Sequence, residues 1–414
     1  MNKNVSPGCD YFQNAVAVEP DYQNNIKVKS CCRQHINHES AKFMQSIDAE
    51  HSESAIQNLL DHNIKNVATR NYNQLKQTEC AKCFQNEQAW PEKDDASQRL
   101  RANQIFTKTV PGELNHIDIS FSKFCNHACR YCGPDLSSLW AKDFDQAKLE
   151  NYKGLETIDN RYSVEHNYQQ ELVNTINIEK QMLSMIKRTD ISKLNTIFIK
   201  GGEPFIVRVL DDFLDYIIQN ANAENIHIMF NTNGSVFPKQ STLNKIMKFK
   251  SVELRLSVEA VGSLAEYIRH GMNWQLFTSN IQKWKELNKQ YNKISLCIAG
   301  TVNIYSINKL VEFQKWYMDQ NINIRSGMVY FGFTDFRKLL TASQIDILYN
   351  RYQALHNDNL KTLIMHYLAL QKQRSVYSHD AVQEFKNITN WLDKTRNQNL
   401  KTVNYELYQW LYRA

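Results

Sequence analysis

Strand-like and helix-like segments alternate from residue 113 to residue 334, and this alternation constrains the fold more than any other feature of the sequence. Amphipathic helix patterns such as Val207–Ala221 and Trp274–Asn288 lie between short apolar segments typical of strands. The predicted strands are His116–Ser122, Thr196–Lys200, Ile226–Phe230, Val252–Val258, Ile294–Val302 and Ile324–Phe331. Repeated βα units make a parallel sheet with helices outside it. Because six units are too few for an eight-stranded barrel, we predict an α/β fold with a partial (βα)6 TIM-like barrel.

The rest of the chain divides around this region. Residues 1–93 hold five cysteines and a helical pattern near Ala55–Leu75, residues 94–112 read as a polar linker, and residues 335–414 form a helical C-terminal extension. The composition, with 42% apolar and 22% charged residues among 414, is that of a globular protein. A net charge of +6 is too small for this length to indicate nucleic-acid binding.

Neither a membrane span nor a secretory signal is expected. No window of the sequence approaches the 18 or so apolar residues that a membrane helix needs. The N-terminal residues also lack the apolar segment of a signal peptide. We therefore expect a cytoplasmic protein without a membrane partner.

The chain has nine cysteines, and eight of them lie in its first third. An odd number without a signal peptide argues against a disulfide scaffold, and the short spacings favour a metal or cluster site over buried or redox cysteines. Cys297 is the exception, because it lies within an apolar strand pattern and is expected to be a core residue.

Three cysteines, Cys125, Cys129 and Cys132, form a C-x3-C-x2-C loop just after the first predicted strand. In parallel α/β folds, active sites gather at this end of the strands. Three thiolates can hold three corners of a [4Fe–4S] cluster and leave the fourth iron open for a ligand. The alternative is a structural zinc site, which would need His127 or a distant cysteine as its fourth ligand.

The motif C-x3-C-x-Tyr-C after the first strand resembles that of the radical S-adenosylmethionine (SAM) superfamily. The run Gly201-Gly202-Glu203-Pro204, after the second strand, resembles the GGEP motif of the same family. The resemblance implies a six-stranded partial barrel and a catalytic [4Fe–4S] cluster on the three cysteines. It also implies reductive cleavage of SAM to a 5′-deoxyadenosyl radical that abstracts a hydrogen atom from the substrate.

The resemblance also implies residues that bind SAM. Backbone groups at Gly201 and Gly202 would meet its amino group, with Glu203 beside them and Pro204 fixing the turn. Three further candidates have a structural alternative: Tyr131 near the adenine or in the core, Asn233 in the pocket or in an Asn-Gly turn, and Arg269 on the SAM carboxylate or on a helix surface. Ser257, after the fourth strand, is a fourth candidate for contact with SAM. Glu259 stands where the family more often has Asp, which leaves a ribose contact open.

The N-terminal cysteines form a second candidate site. Alternating apolar residues from Val16 to Val28 predict a β-hairpin, and a helical stretch leads to a C-x2-C pair. Hairpin, helix and C-x2-C resemble the twitch domain, the shorter relative of the SPASM domain, although that domain more often follows the barrel. The resemblance implies an auxiliary [4Fe–4S] cluster, with zinc as the alternative; its ligands would be Cys9, Cys32 (or Cys31), Cys80 and Cys83.

These features together predict a radical SAM enzyme that oxidises or otherwise modifies a peptide or small molecule, with electrons from a flavodoxin or ferredoxin. The main alternative is a non-catalytic zinc protein with a basic surface for nucleic acid, although solvated faces explain the lysines better. A third is a degenerate family member that binds SAM without turnover.

Overall fold

The computed structural model describes residues 15–20, 26–29, 45–47, 56, 58, 60, 110, 112–134, 136–158, 168–325, 327–328, 332–373 and 376–413. Within them the strands are β1 (Ala15–Pro20), β2 (Ile26–Lys29), β3 (Gln45–Ile47), β4 (His116–Ser120), β5 (Ala128–Cys129), β6 (Thr196–Lys200), β7 (His227–Thr232), β8 (Ser251–Leu256), β9 (Arg269–His270), β10 (Ile294–Ile298), β11 (Thr301–Val302), β12 (Asn323–Ile324) and β13 (Gly327–Met328).

The α-helices are α1 (Trp140–Leu149), α2 (Tyr168–Lys187), α3 (Leu210–Asn220), α4 (Gln240–Ile246), α5 (Gly262–Ile268), α6 (Trp274–Tyr291), α7 (Leu310–Asp319), α8 (Phe336–Leu339), α9 (Ala342–Tyr352), α10 (Asn359–Gln373), α11 (His379–Thr395), α12 (Leu400–Val403) and α13 (Tyr405–Tyr412). Short 3₁₀ helices lie at Gly154–Thr157, Pro204–Ile206, Ala223–Asn225 and Gly332–Thr334.

The chain divides into two compact units, and strands β7 and β8 begin in the first and end in the second. Unit 1 consists of Met1–Ser122, Asn174–Met229 and Lys239–Val252; unit 2 consists of Lys123–Val173, Phe230–Pro238 and Glu253–Ala414. The strand order is β8-β7-β6-β4-β1-β2-β3 in unit 1 and β12-β10-β8-β7 in unit 2.

The order of the strands confirms the predicted barrel type. Strands β4, β6, β7, β8, β10 and β12 are neighbours in the order in which the chain makes them. Right-handed crossovers without a reversal of order keep the helices on one side of the sheet, which is the pattern of a (βα) barrel. Strand β4 runs parallel to β6, in a register from His116 with Thr196 to Ser120 with Lys200, and β10 runs parallel to β12.

The N-terminal hairpin is confirmed, and it adds to the barrel sheet. Strands β1 and β2 pair antiparallel, while β1 runs parallel to β4, with Ala15 opposite His116. The residues from Ala15 to Val18 are fully buried, as expected for a strand that is covered on both faces. Across these strands, Lys200 Nζ lies 3.0 Å from Asp118 Oδ1 and 3.9 Å from Glu19 Oε2. The hairpin therefore covers an edge of the parallel sheet.

The fifth and sixth predicted strands are each interrupted. The fifth is split into β10 and β11 around Gly300, and the sixth into β12 and β13, with β11 pairing to β13 in a separate small sheet. A Cβ at Gly300 would lie 2.8 Å from the carbonyl oxygen of Val258, so glycine permits a close backbone approach at the break. The alternating pattern of the fifth predicted strand continues through Gly300 and does not reveal this interruption.

The C-terminal extension is helical, as predicted, from α8 to α13. Its buried side chains, which include Phe385, Ile388 and Leu392 of α11, join the apolar core of unit 2. The indole of Trp391 stacks on Tyr152 with 4.9 Å between the ring centroids. Among the helices described above, none combines the length and hydrophobicity needed to cross a membrane.

Gly201, directly after β6, is the position where the fold most strictly requires glycine. Its φ is +120°, and a Cβ there would lie 2.5 Å from Ser120 Oγ and 2.6 Å from the carbonyl oxygen of Ser122. We expect Gly201→Ala to lower the free energy of unfolding by about 2–5 kcal/mol, through backbone strain and overpacking together. Denaturant unfolding measures this change.

Gly262→Ala is the matched control for that substitution. Gly262 also has a positive φ, +58°, but a Cβ added there would meet no atom within 4 Å beyond its chain neighbours and the backbone of its own helix. The substitution should cost only about 1–2 kcal/mol, the strain of a left-handed residue without a clash. Equal losses in the two variants would contradict the close packing described for Gly201.

Candidate functional site

The three clustered cysteines lie in one loop of unit 2, Cys125–Cys132, here called the cysteine loop. Strand β5 within this loop pairs antiparallel with β9, and Cys129 lies opposite Arg269. The pairing continues at Arg130, whose backbone N–H donates to the carbonyl of Ile268 at 2.8 Å. A short two-stranded ladder therefore fixes the loop against a segment nearly 140 residues away in the chain.

The sulfur atoms of the cysteine loop face hydrogen-bond donors. Asn233 Nδ2 lies 3.8 Å and the backbone nitrogen of His127 3.4 Å from Cys125 Sγ, while Arg269 Nη1 lies 3.5 Å from Cys129 Sγ. Cys125 and Cys129 are buried, and Cys132 is half-buried. Donors of this kind stabilise thiolates and are one means by which proteins tune iron–sulfur clusters.

The thiols of Cys129 and Cys132 do not ionise alike. A hydrogen bond with Cys132 and the positive charge of Arg269 lower the pKa of Cys129 well below its usual value, against the opposing effect of burial. The same hydrogen bond, together with burial, raises the pKa of Cys132 well above its usual value. Cys129 is therefore the first of this pair to become the thiolate that a metal requires.

The donor set of the cysteine loop is one that an iron–sulfur cluster accepts. A cubane cluster takes each thiolate at a different iron, so three thiols in one loop can hold three of its corners. Among the residues that the structure describes, no three Cys, His, Asp or Glu side chains converge on one metal position.

Arg269, predicted either as a ligand of the SAM carboxylate or as a surface residue, is only 4% exposed, so the surface alternative is wrong. Its Nη2 and Nε donate to the same oxygen of Glu259 at 2.7 and 3.1 Å. Burial raises the pKa of Glu259 to about 7, and the positive charge of Arg269 opposes that rise. Sequence reasoning left the role of Glu259 open; in the structure it is the partner that holds this guanidinium.

Tyr131 joins the same buried group. Its hydroxyl accepts a hydrogen bond from Arg269 Nη2 and donates one to Glu259 Oε2 at 3.3 Å. The ring is half-buried and packs against the apolar core of unit 2. The ring of Tyr131 therefore packs in the core while its hydroxyl reaches the polar group beside Cys129. Its contact with the adenine stays a prediction.

Asn233 and Ser257 lie just beyond β7 and β8. Besides Cys125, Asn233 Nδ2 contacts Asn126 Oδ1 at 2.8 Å, and its Oδ1 accepts from the backbone of Ser235 at 2.9 Å. The expected Asn-Gly turn is therefore present, and it aims the amide at the cysteine loop. The backbone of Ser257 donates to Thr232 at 2.8 Å, continuing the pairing of the two strands.

The Gly201–Pro204 motif lies in unit 1. The N–H of Gly202 donates to the carbonyl of Ser122 at 3.0 Å, so the turn is held to the end of the β4 segment. Glu203 is fully buried, and its carboxylate accepts from the N–H of Phe205 at 3.2 Å, capping the 3₁₀ turn that begins at Pro204. Contact of Glu203 with a SAM amino group stays a prediction.

Sequence reasoning missed a buried carboxylate beside this motif. Glu179 of α2 accepts from Ser122 Oγ at 2.8 Å and from the backbone N–H of Arg208 at 3.1 Å. Burial raises its pKa. No motif marks Glu179, because its two partners lie far from it in the sequence and meet it only in the fold.

The proposed auxiliary ligands Cys9, Cys32, Cys80 and Cys83, and the alternative Cys31, lie outside the described residues. The hairpin between Cys9 and Cys31 is described, as β1 and β2. Cys297 is buried on β10, which confirms it as a core residue.

Comparison with known proteins gives one family match. Residues 119–313 match the family described as the radical SAM superfamily. No curated protein matches the sequence. Among solved structures, SuiB of Streptococcus suis bound to S-adenosylmethionine is similar over 82% of this chain and 68% of its own, with 14% identity and a TM-score of 0.32.

A second solved structure, native anSMEcpe with bound AdoMet and a Cp18Cys peptide, is similar over 56% of this chain, with 13% identity and a TM-score of 0.33. The match spans 58% of anSMEcpe, less than two thirds of its length. With TM-scores this low, only the family match bears on this chain's function.

The Arg269–Glu259 pair is fully buried, so removing one partner should be costly. We expect Arg269→Met to lower the free energy of unfolding of the metal-free protein by about 3–5 kcal/mol, because Glu259 stays buried without its positively charged partner. The double variant Arg269→Met/Glu259→Leu should recover part of that loss. Denaturant unfolding of both variants measures the coupling.

The exposed pair Lys289–Glu286, at 2.7 Å, is the control. Lys289→Met should leave the unfolding midpoint unchanged, because exposed ion pairs contribute little. A double variant no more stable than Arg269→Met alone would contradict the coupling inferred from the contacts.

Proposed function

Because residues 119–313 match the radical SAM superfamily, we propose that this protein cleaves SAM reductively at a [4Fe–4S] cluster held by Cys125, Cys129 and Cys132. When bound, the cluster supplies the electron that breaks the S–C5′ bond of SAM, and the 5′-deoxyadenosyl radical so formed takes a hydrogen atom from an unreactive C–H bond. The chain's own residues bind, orient and shield the reacting groups.

The observation that carries the proposal is the cysteine loop itself. It lies inside the matched residues, and N–H groups of Asn233, His127 and Arg269 point at its sulfurs. Such donors stabilise thiolates bound to iron, and the loop offers three thiols and no fourth, which suits a cluster with one open iron.

Arg269 has a second part in this proposal. Its contacts with Cys129, Glu259 and Tyr131 use four of the five N–H groups of a guanidinium. Within the described part of the chain these bonds leave one Nη1 hydrogen unused, so Arg269 would reach the SAM carboxylate with a single hydrogen bond. The bidentate pairing considered from the sequence would require Glu259 or Cys129 to release the guanidinium.

The remaining SAM contacts are proposed for the Gly201–Pro204 turn, Tyr131, Asn233 and Ser257. Glycine at 201 and 202 leaves backbone groups uncovered by side chains, which suits the amino group of the ligand. The aromatic ring of Tyr131 offers an apolar face for the adenine.

The auxiliary site is proposed on the sequence pattern of Cys9, Cys32, Cys80 and Cys83. A second, fully ligated [4Fe–4S] cluster there could take an electron from the substrate radical, which would make the net reaction an oxidation. Reduced flavodoxin or ferredoxin would supply the electron for SAM cleavage. The proposed substrate is a peptide or a small molecule.

Iron content tests the two sites together. Anaerobic reconstitution should give roughly eight irons per chain, the sum of two cubane clusters, with a brown colour. Metal analysis and visible absorbance measure this. A stable zinc content without iron would contradict the proposal and favour the zinc protein considered from the sequence.

The cysteine loop should be separable from the auxiliary site. Replacing Cys125, Cys129 and Cys132 together with Ala should leave about four irons and abolish formation of 5′-deoxyadenosine. Cys297→Ala is the matched control, because Cys297 is a buried cysteine of β10 outside the loop, and it should keep both the iron and the activity.

Two outcomes of that experiment would count against the proposal. Unchanged iron in the triple variant would mean that the loop holds no cluster. Full iron in the wild-type protein without any 5′-deoxyadenosine would indicate a family member that binds SAM without turnover.

A further inference from the structure

We propose that the C-terminal helical extension holds the backbone of the cysteine loop in place, with Arg130, Asp393 and Arg396 as positioning residues. Asp393 and Arg396 lie well beyond the family match, which ends at residue 313. The inference rests on the proposed function only in that the loop is taken to hold a cluster. The bracing of the loop, by which we mean the hydrogen bonds that hold its backbone, is argued from contacts alone.

Arg396, the C-cap residue of α11, binds the loop backbone directly. Its Nη1 donates to the carbonyl of Ala128 at 2.9 Å, immediately before Cys129. Its Nε and Nη2 donate to the two oxygens of Asp143 at 3.2 and 2.8 Å. Both side chains are buried, so the guanidinium is held between helix α1 and the loop.

The next carbonyl of the loop is also held. Trp140 Nε1 donates to the carbonyl of Cys129 at 2.9 Å, and the guanidinium of Arg396 lies over the Trp140 ring, 4.8 Å from its centroid. Ser137 Oγ donates to the carbonyl of His127 at 2.5 Å. Three consecutive carbonyls therefore have fixed partners, and one of these donors comes from the C-terminal extension.

Arg130 forms the second link. It stands between Cys129 and Tyr131, is fully buried, and its Nη2 donates to Asp393 Oδ1 at 2.6 Å. Its Nε donates to the carbonyl of Tyr267 at 3.0 Å, and its guanidinium lies 3.7 Å from the centroid of the Tyr267 ring. The other oxygen of Asp393 accepts from the backbone of Leu400 at 2.8 Å, at the start of α12.

The energetic character of these pairs points to positioning. Burying an arginine with a carboxylate gains little over well-packed apolar side chains, but its fork of donors fixes direction. Here the guanidinium of Arg396 holds the carbonyl of Ala128, and the guanidinium of Arg130 is held by Asp393. These are the two residues next to Cys129 in the chain. Residues that orient metal ligands in this indirect way typically change metal affinity or activity 10- to 100-fold when they are replaced.

The experiment compares variants of the full-length protein by two readouts. The first is loss of the loop iron to a chelator, where the loop iron is defined as the iron that the triple Cys125/Cys129/Cys132→Ala variant lacks. The second, which needs no metal, is hydrogen exchange of the loop amides in the metal-free protein. We expect Arg396→Ala and Asp393→Asn to lose loop iron about 10- to 100-fold faster than wild type and to exchange the loop amides faster.

Matched controls separate positioning from general stability. Leu368→Ala removes a fully buried side chain of α10 and should lower stability while the loop iron and loop amides behave as in wild type, measured where both proteins are folded. Arg351→Ala breaks an ion pair with Glu406 in the same extension, away from the loop, and should also leave both readouts unchanged. Arg396→Lys should restore part of the iron retention, because it keeps a donor and a charge.

The possible outcomes distinguish failure of the bracing from failure of the proposed cluster. Wild-type iron retention and loop exchange in both Arg396→Ala and Asp393→Asn would overturn the bracing, while the triple variant still tests the cluster. A triple variant that keeps its iron would refute the proposed cluster, and faster loop exchange in Arg396→Ala would then still support the bracing. Should Arg396→Ala not fold, Asp393→Asn and Arg396→Lys carry the same comparison.

Discussion

The pairing of β5 with β9 is the interaction on which the site depends, because it brings Arg269 to Cys129. A guanidinium buried beside a thiol favours the thiolate, and it needs a carboxylate of its own to offset the cost of leaving water. Glu259 supplies that carboxylate, and the hydroxyl of Tyr131 completes the group. The pairing of β5 with β9 therefore places a positive charge beside Cys129 and fixes the backbone of the cysteine loop.

Several of the candidate residues stand directly after strands of the sheet. Gly201 directly follows β6, Asn233 follows β7 and Ser257 follows β8. The N-terminal hairpin extends the same sheet by pairing β1 with β4. The hairpin is thus joined to the barrel sheet through the backbone pairing of β1 with β4, and this pairing fixes its register.

Much of the fold was predictable because its signals are local. Period-2 alternation and β-branched runs identify strands such as Thr196–Lys200, and turn residues identify their ends. The interruption at Gly300 was not predictable, since it reflects the close approach of the carbonyl of Val258, which is distant in the chain. In the site, the role of Glu259 stayed open and the roles of Arg130 and Arg396 were missed, because their partners are brought in by packing and no spacing in the chain indicates them.

The sequence by itself determined the chemistry available: three thiols in one loop, a glycine turn after the next strand, and a run of βα units that places both after strand ends. Only the tertiary structure decided which charges and donors face those thiols. Hydrogen bonds and ion pairs act over a few ångströms, whereas Cys129, Glu259 and Arg396 are far apart along the chain. Their meeting therefore depends on how the helices and strands pack, and that information is not carried by any local pattern of residues.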